Sequence, residues 1–461
     1  MYGKQYIRTL VDENFALLVI LIGVVLITIS LGPFQTLDTK LEFDTTRSVL
    51  NVGWPILPST GEVLNEPPLG FYTAALFFKV FGFTMVNGAN LVAFFGLGCA
   101  VAIYFIGKEF YGKLAGLFSV AFFALAPWEL FLSRAFLIDA QCLFLSLVCL
   151  YFGIRAILKD SSKLALVSGV FFAAALLTKL YAAFMLVPLL LLYIYQRPKK
   201  PKIILSQLAA FSIPAVYGNL LWYQVFLRED LFAYIFYHND FKDINFSGVV
   251  ASYSFIPNFL FNYGLGFLFV AAVIFSLSMG LLFRKHFPKK FAVFDLTCLV
   301  SLLVILGVNM YLGVNLNLKA PYTSAVKFSY QSLPFFSLLA GSLAAKSVAF
   351  LNHAGNGIKL KRILAASMVI LGVFFLFAPL IANMSTANQL STTSYIVFQV
   401  LPGQDLGYSF YVDQPTSVNS LLMGGQFIGF LLILIGLLWE SRGSFYALVK
   451  RVPTFIKSKG A

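Results

Sequence analysis

Four short stretches of this sequence put ionisable side chains where chemistry could occur at the edge of an apolar phase. The first is Leu37 to Arg47, LDTKLEFDTTR, directly after a long apolar run. Asp38, Glu42 and Arg47 recur at helical intervals, so a short helix would collect them near one face. Such a helix would hold Asp38 in its first turn, close to the membrane surface. A carboxylate there can accept a hydrogen bond from a hydroxyl and take its proton. The same position would equally serve as a helix N-cap. Glu42 and Asp44 are further acidic candidates on the segment.

The second stretch is Ser133, Arg134 and Asp139. Asp139 enters an otherwise apolar helix, where an unpaired ionisable group costs on the order of 2.5–3.5 kcal/mol. Arg134 is its natural partner in sequence. An ion pair would explain both residues, and so would an acid lining a polar cavity. The third is Leu177-Thr178-Lys179. The apolar run before it, Leu164 to Leu177, reaches only about 21 Å as a helix. Lys179 is therefore expected to sit recessed below the surface, where an ammonium suits a lipid-linked phosphate; snorkelling to the interface is the other reading. The fourth gathers Lys319, Tyr322, Lys327 and Tyr330 before the run Gln331-Ser332-Leu333-Pro334. Lysine can hold a phosphate as a point charge, and tyrosine can hydrogen-bond a phosphate or a sugar. Both residue types are also ordinary interface anchors.

The elements that must position these groups are membrane helices. The chain of 461 residues is 59% hydrophobic and 11% charged, with a mean hydropathy of +0.85. A water-soluble domain that apolar would expose too much hydrophobic surface. The expected fold is all-α and polytopic, with about twelve spans near 15–33, 86–107, 114–130, 138–157, 164–178, 180–195, 203–226, 259–283, 291–313, 328–350, 363–383 and 419–439, each scaled against the ~20 residues a bilayer requires. Basic residues cluster on alternate loops, such as Arg197 to Lys202, which sets both termini inside. Residues 34–85 then form a long outer loop, in which Pro67 to Gly82 reads as an interfacial helix. Residues 227–258 and 384–418 are further outer loops, and 440–461 is a short basic cytoplasmic tail. The whole reads as one transmembrane domain, with no soluble C-terminal domain.

The net charge of +14 is spread through loops beside lipid headgroups, with no basic stripe carrying stacking aromatics, so nucleic acid is excluded as a partner. Cys99, Cys142, Cys149 and Cys298 lie inside apolar segments and read as small core residues. No cluster has convincing metal spacing, and no metal is assigned.

Taken in order, these pieces resemble the polyprenyl-phosphate-sugar glycosyltransferases of the GT-C superfamily, in the branch of protein mannosyltransferases and lipid A aminoarabinose transferases. Asp38, Gly53 and Asn65-Glu66-Pro67-Pro68-Leu69-Gly70-Phe71-Tyr72 stand in the order and spacing of that branch. Ser133-Arg134 with Asp139, Leu177-Thr178-Lys179, and Tyr330 to Pro334 resemble its later motifs. Thr39 departs from the pattern by occupying its second acidic place, which leaves Asp38 as the base unless Glu42 or Asp44 replaces it. The branch's later arginine has no clear equivalent, and Lys327 stands in for it.

The resemblance implies a membrane enzyme with an inverting mechanism. Such an enzyme moves a sugar from a polyprenyl-phosphate donor to a protein, lipid or glycan acceptor on the extracytoplasmic face of the cell membrane. Asp38 and Asp139 would be catalytic, while Lys179, Lys327, Arg134, Glu66, Tyr72 and Tyr330 would bind the donor phosphate or the substrate. The competing reading is a twelve-helix secondary transporter of a small solute or lipid-linked sugar. Transporters keep polar groups near the midplane; here they collect at one surface, which favours the enzyme.

Overall fold

A computed structural model describes residues 2–30, 33, 37–58, 61, 63, 67–196, 201–226, 267–315, 329–353 and 428–440. The described residues are helical throughout and contain no strand beyond one isolated antiparallel bridge, Ile56 to Val63. In chain order the helices are α1 (Tyr2–Ser30), α2 (Leu37–Val52), α3 (Leu69–Phe81), α4 (Met85–Tyr111), α5 (Lys113–Leu125), α6 (Pro127–Leu132), α7 (Asp139–Leu158), α8 (Ser162–Leu176), α9 (Leu186–Gln196), α10 (Pro201–Leu220), α11 (Phe267–Leu282), α12 (Lys289–Asn315) and α13 (Leu333–His353), followed by α14 (Ile428–Glu440).

Local chemistry sets where these helices begin and end. Thr84 caps α4 by accepting a hydrogen bond from the Asn87 N–H at 3.2 Å, and Ser161 caps α8 through the Leu164 N–H at 3.4 Å, which satisfies donors a helix start leaves bare. Gly112 carries φ of +96° between α4 and α5, a backbone that residues with a Cβ rarely adopt. It turns the chain back, and α5 packs along α4. Pro127 follows α5 and opens α6, so the expected span 114–130 is really two helices, because proline cannot continue the α5 ladder.

Five described helical stretches are long and apolar enough to cross a membrane: Met85–Tyr111, Asp139–Leu158, Pro201–Gln224, Lys289–Val308 and Tyr330–Phe350. Shorter apolar helices accompany them, α1, α5, α8, α9, α11 and α14 among them. The described residues thus form a polytopic helical membrane architecture, with five stretches of spanning length where the sequence led one to expect about twelve spans. The expected span 363–383 lies outside the described residues, as do the expected loops 227–258 and 384–418 and, from residue 441 on, the expected tail. The span expected at 180–195 begins as a 3₁₀ helix, Leu180–Met185, before α9 takes over. α3 has 13 residues and reaches only about 20 Å, which agrees with its reading as a helix too short to span.

The core runs through the middle of the bundle. α7 packs on α4 and α8, α8 on α10, and α13 on α5 and α11, while α2 lies against α3. All four cysteines are free and buried, as their apolar settings led one to expect. Apolar residues remain on the outside of the bundle, including Leu190, Leu205, Ile213, Leu281 and Leu303. That outward apolar surface belongs to a protein whose solvent is lipid.

Candidate active site

α2, α3, the segment between α6 and α7, the turn after α8 and the 3₁₀ turn before α13 meet at one end of the bundle. α2 is amphipathic, but Arg47, expected beside Asp38 and Glu42, lies on its exposed side. Asp38 sits in its first turn and is half-buried, whereas Thr39, Glu42, Phe43, Thr45 and Thr46 are buried. Glu42 lies one turn after Asp38 on the same face. Asp44 is half-buried and pairs with the exposed Arg47 at 3.4 Å, a contact worth little. The three acids of this segment therefore occupy three distinct settings.

The turn after α8 brings Lys179 inward. Its backbone is extended, with φ −155° and ψ 140°, and breaks α8 from the following 3₁₀ helix. The Leu69 N–H donates to Leu177 O at 2.9 Å, which ties the start of α3 to this turn. The Lys179 ammonium lies 2.7 Å from Asp139 Oδ2 and 3.4 Å from Glu42 Oε1. The three side chains are only 10%, 0% and 8% exposed, respectively. Glu42 Oε2 accepts the Ile138 N–H at 2.7 Å, and the Tyr181 hydroxyl donates to Asp139 Oδ1. One ammonium thus joins two carboxylates from helices distant in sequence.

Burying charges this deeply is tolerable only where each has a partner and further hydrogen bonds. Here every carboxylate oxygen of Glu42 and Asp139 has one. The recession of Lys179 follows the sequence expectation, but the ion pair the structure shows for Asp139 is with Lys179. Arg134, its expected partner, is buried and donates to Asn90 Oδ1 at 3.0 Å. Burial lowers the Arg134 guanidinium to about 10, still charged at neutral pH.

Tyr72 donates to Gly53 O at 2.9 Å, so it fastens α3 to the end of α2. Tyr330 is fully buried and donates to Glu129 Oε2 at 2.5 Å. Glu66 and Lys327 lie outside the described residues. Among the described residues no group of three His, Cys, Asp or Glu side chains is placed to hold a metal ion.

Sequence reasoning missed Tyr181, Glu129 and Gln331. Tyr181 stands two residues from Lys179, and that proximity was the available signal. The other two depend on contacts across long stretches of chain. The Gln331 amide N–H donates to Cys142 Sγ at 3.6 Å, and Cys142 in turn donates to the carbonyls of Ala175 and Lys179 at 3.8 Å each.

The family described as dolichyl-phosphate-mannose-protein mannosyltransferase matches residues 65–222. That stretch contains Glu66, Tyr72, Arg134, Asp139 and Lys179, and stops short of α2. No curated protein matches this chain in sequence. Among solved structures, the chain resembles ArnT from Cupriavidus metallidurans in the apo state, at 16% identity and a TM-score of 0.54, over 92% of this chain and 77% of that one. It resembles the same protein bound to undecaprenyl phosphate at 15% identity and a TM-score of 0.52, over 93% and 77%. The chain therefore shares the fold of that protein, and over residues 65–222 it matches the family described as dolichyl-phosphate-mannose-protein mannosyltransferase.

Proposed function

We propose that this protein is a membrane glycosyltransferase that uses a polyprenyl-phosphate-linked sugar on the extracytoplasmic side, with Asp38 as the base. One observation carries the reading: α2 is pinned by Glu42 to Lys179 and Asp139 at one end of the bundle, which leaves Asp38 one turn away and half-buried. Glu42 and Asp139 are ill placed for proton transfer because they are buried and all four of their oxygens are engaged. Asp38, one turn before Glu42, is half-buried where Glu42 and Asp139 are buried, which supports its reading as the base.

In the reaction, the acceptor hydroxyl oxygen attacks the anomeric carbon from the face opposite the phosphate. The new C–O bond forms as the anomeric C–O bond to phosphate breaks. The hydroxyl proton passes to Asp38, and the polyprenyl phosphate leaves with the bonding electron pair, so the configuration inverts. Holding base and acceptor in line supplies much of the rate, and the Glu42–Lys179–Asp139 lock provides that rigidity. Lys179 also offers positive charge to the departing phosphate.

The neighbour bound to undecaprenyl phosphate supports a lipid-phosphate donor, and the alternation of basic loops supports cytoplasmic termini with the site outside. The test is mass spectrometry of glycans and glycolipids in a deletion strain, followed by reconstitution with the matching polyprenyl-phosphate sugar. The reading predicts a missing sugar restored by the purified protein. Solute uptake into proteoliposomes without any sugar transfer would overturn it.

A further inference from the structure

The 3₁₀ turn Ser329–Ser332 leads straight into α13, and Tyr330, Gln331 and Ser332 are all fully buried. Side-chain hydrogen bonds tie it to α6 and α7. Tyr330 donates to Glu129 Oε2 of α6 at 2.5 Å. Gln331 donates to Cys142 Sγ of α7 at 3.6 Å, one turn past Asp139, and Cys142 leans on the Lys179 carbonyl. The fold makes room for the first contact: a Cβ at Gly96 of α4 would lie 2.8 Å from Glu129 Oε1 and 3.2 Å from Ser133 Cβ. A methyl group there would oblige the carboxyl end of Glu129 to shift. The hydroxyl that the sequence offered to a substrate is thus spent within the protein.

We infer that Glu129 and Tyr330 form a positioning pair, which seats the start of α13 on Cys142 and so fixes the Lys179 turn from behind. The proposal rests on the reading of Lys179 as part of the donor site. Neither residue touches the reacting atoms. Their effect passes through Gln331 and Cys142 to the backbone that carries the ammonium. Because Glu129 serves as an acceptor, glutamine should replace it and alanine should not.

The test has two arms, both on full-length protein in lipid nanodiscs. Alkylation of Cys142 by N-ethylmaleimide, followed by peptide mass spectrometry, reports whether the turn still covers the thiol. Titration with undecaprenyl phosphate reports the service to the site. Tyr330→Phe and Glu129→Ala are each expected to speed Cys142 alkylation and to weaken lipid-phosphate binding about tenfold, the loss of one well-placed hydrogen bond. The double variant should be no worse than the worse single one, since both delete the same contact. Glu129→Gln should stay near wild type in both arms. Should Glu129→Ala fail to fold, Tyr330→Phe and Glu129→Gln decide between them. Unchanged alkylation in Tyr330→Phe overturns the pair. Faster alkylation with unchanged binding, in a wild type that binds, reduces it to a purely structural contact and overturns its role at the site. A wild type that does not bind undecaprenyl phosphate defeats the donor reading instead, and the alkylation arm still decides the pair.

Discussion

The Lys179 ammonium sits 2.7 Å from Asp139 Oδ2, forty positions earlier in the chain, and both side chains are all but closed to solvent. Removing the cation takes a charge partner from Asp139 and Glu42 while both stay buried. Lys179→Met should therefore destabilise the protein by about 3–5 kcal/mol, the range for breaking a buried pair from one side. Denaturant titration of the purified variant measures it. Adding Glu42→Gln to Lys179→Met should recover part of the loss, since one of the two stranded charges is then gone.

A methyl group at position 96 would press into the Glu129 carboxyl and Ser133. Gly96→Ala should cost about 1–3 kcal/mol, as overpacked interiors do. The melting temperature of the variant in detergent is the readout, and a melting temperature at or above wild type would show that the carboxyl moves aside freely.

At the opposite end of the core, Lys346 donates to Asp295 Oδ2 at 2.6 Å and to Ser276 O and Oγ at 2.9 Å each, while Tyr111 donates to Asp295 Oδ1 at 2.6 Å. All three ammonium protons have an acceptor, so this network joins α4, α11, α12 and α13 as a structural staple. Lys346→Met alone should cost about 3–5 kcal/mol, and Lys346→Met with Asp295→Asn should restore most of it, because the amide oxygen still accepts from Tyr111. Transfer activity in the double variant should match wild type.

Much of this arrangement was written in local sequence. The apolar runs located the helices, and the short run before Lys179 placed that residue below the surface. The intervals between Asp38 and Glu42 gave α2 its buried face. What local pattern cannot carry is pairing. Glu42 and Lys179 are 137 residues apart and Tyr330 and Glu129 are 201 apart; in each case proximity is decided by how α2 and α13 dock onto α6, α7 and α8. Arg134 and Asp139 looked like partners because they are neighbours in sequence. Lys179 pairs with Asp139 because the turn after α8 swings an extended residue into the bundle. The apparent continuity of the spans at 114–130 and 180–195 misled for the opposite reason: hydropathy does not register the break at Pro127 or the 3₁₀ turn at Leu180.

Asp38 carries the mechanism, and one comparison tests it most directly. Cells expressing wild type or Asp38→Asn from the native locus are analysed by mass spectrometry for polyprenyl-phosphate sugars and for glycosylated products, with the membrane level of each protein measured alongside. The carboxamide is nearly isosteric but cannot take a proton. The account predicts normal protein levels, an accumulated polyprenyl-phosphate sugar and the loss of one glycosylated product. Wild-type product levels in the Asp38→Asn strain would contradict it.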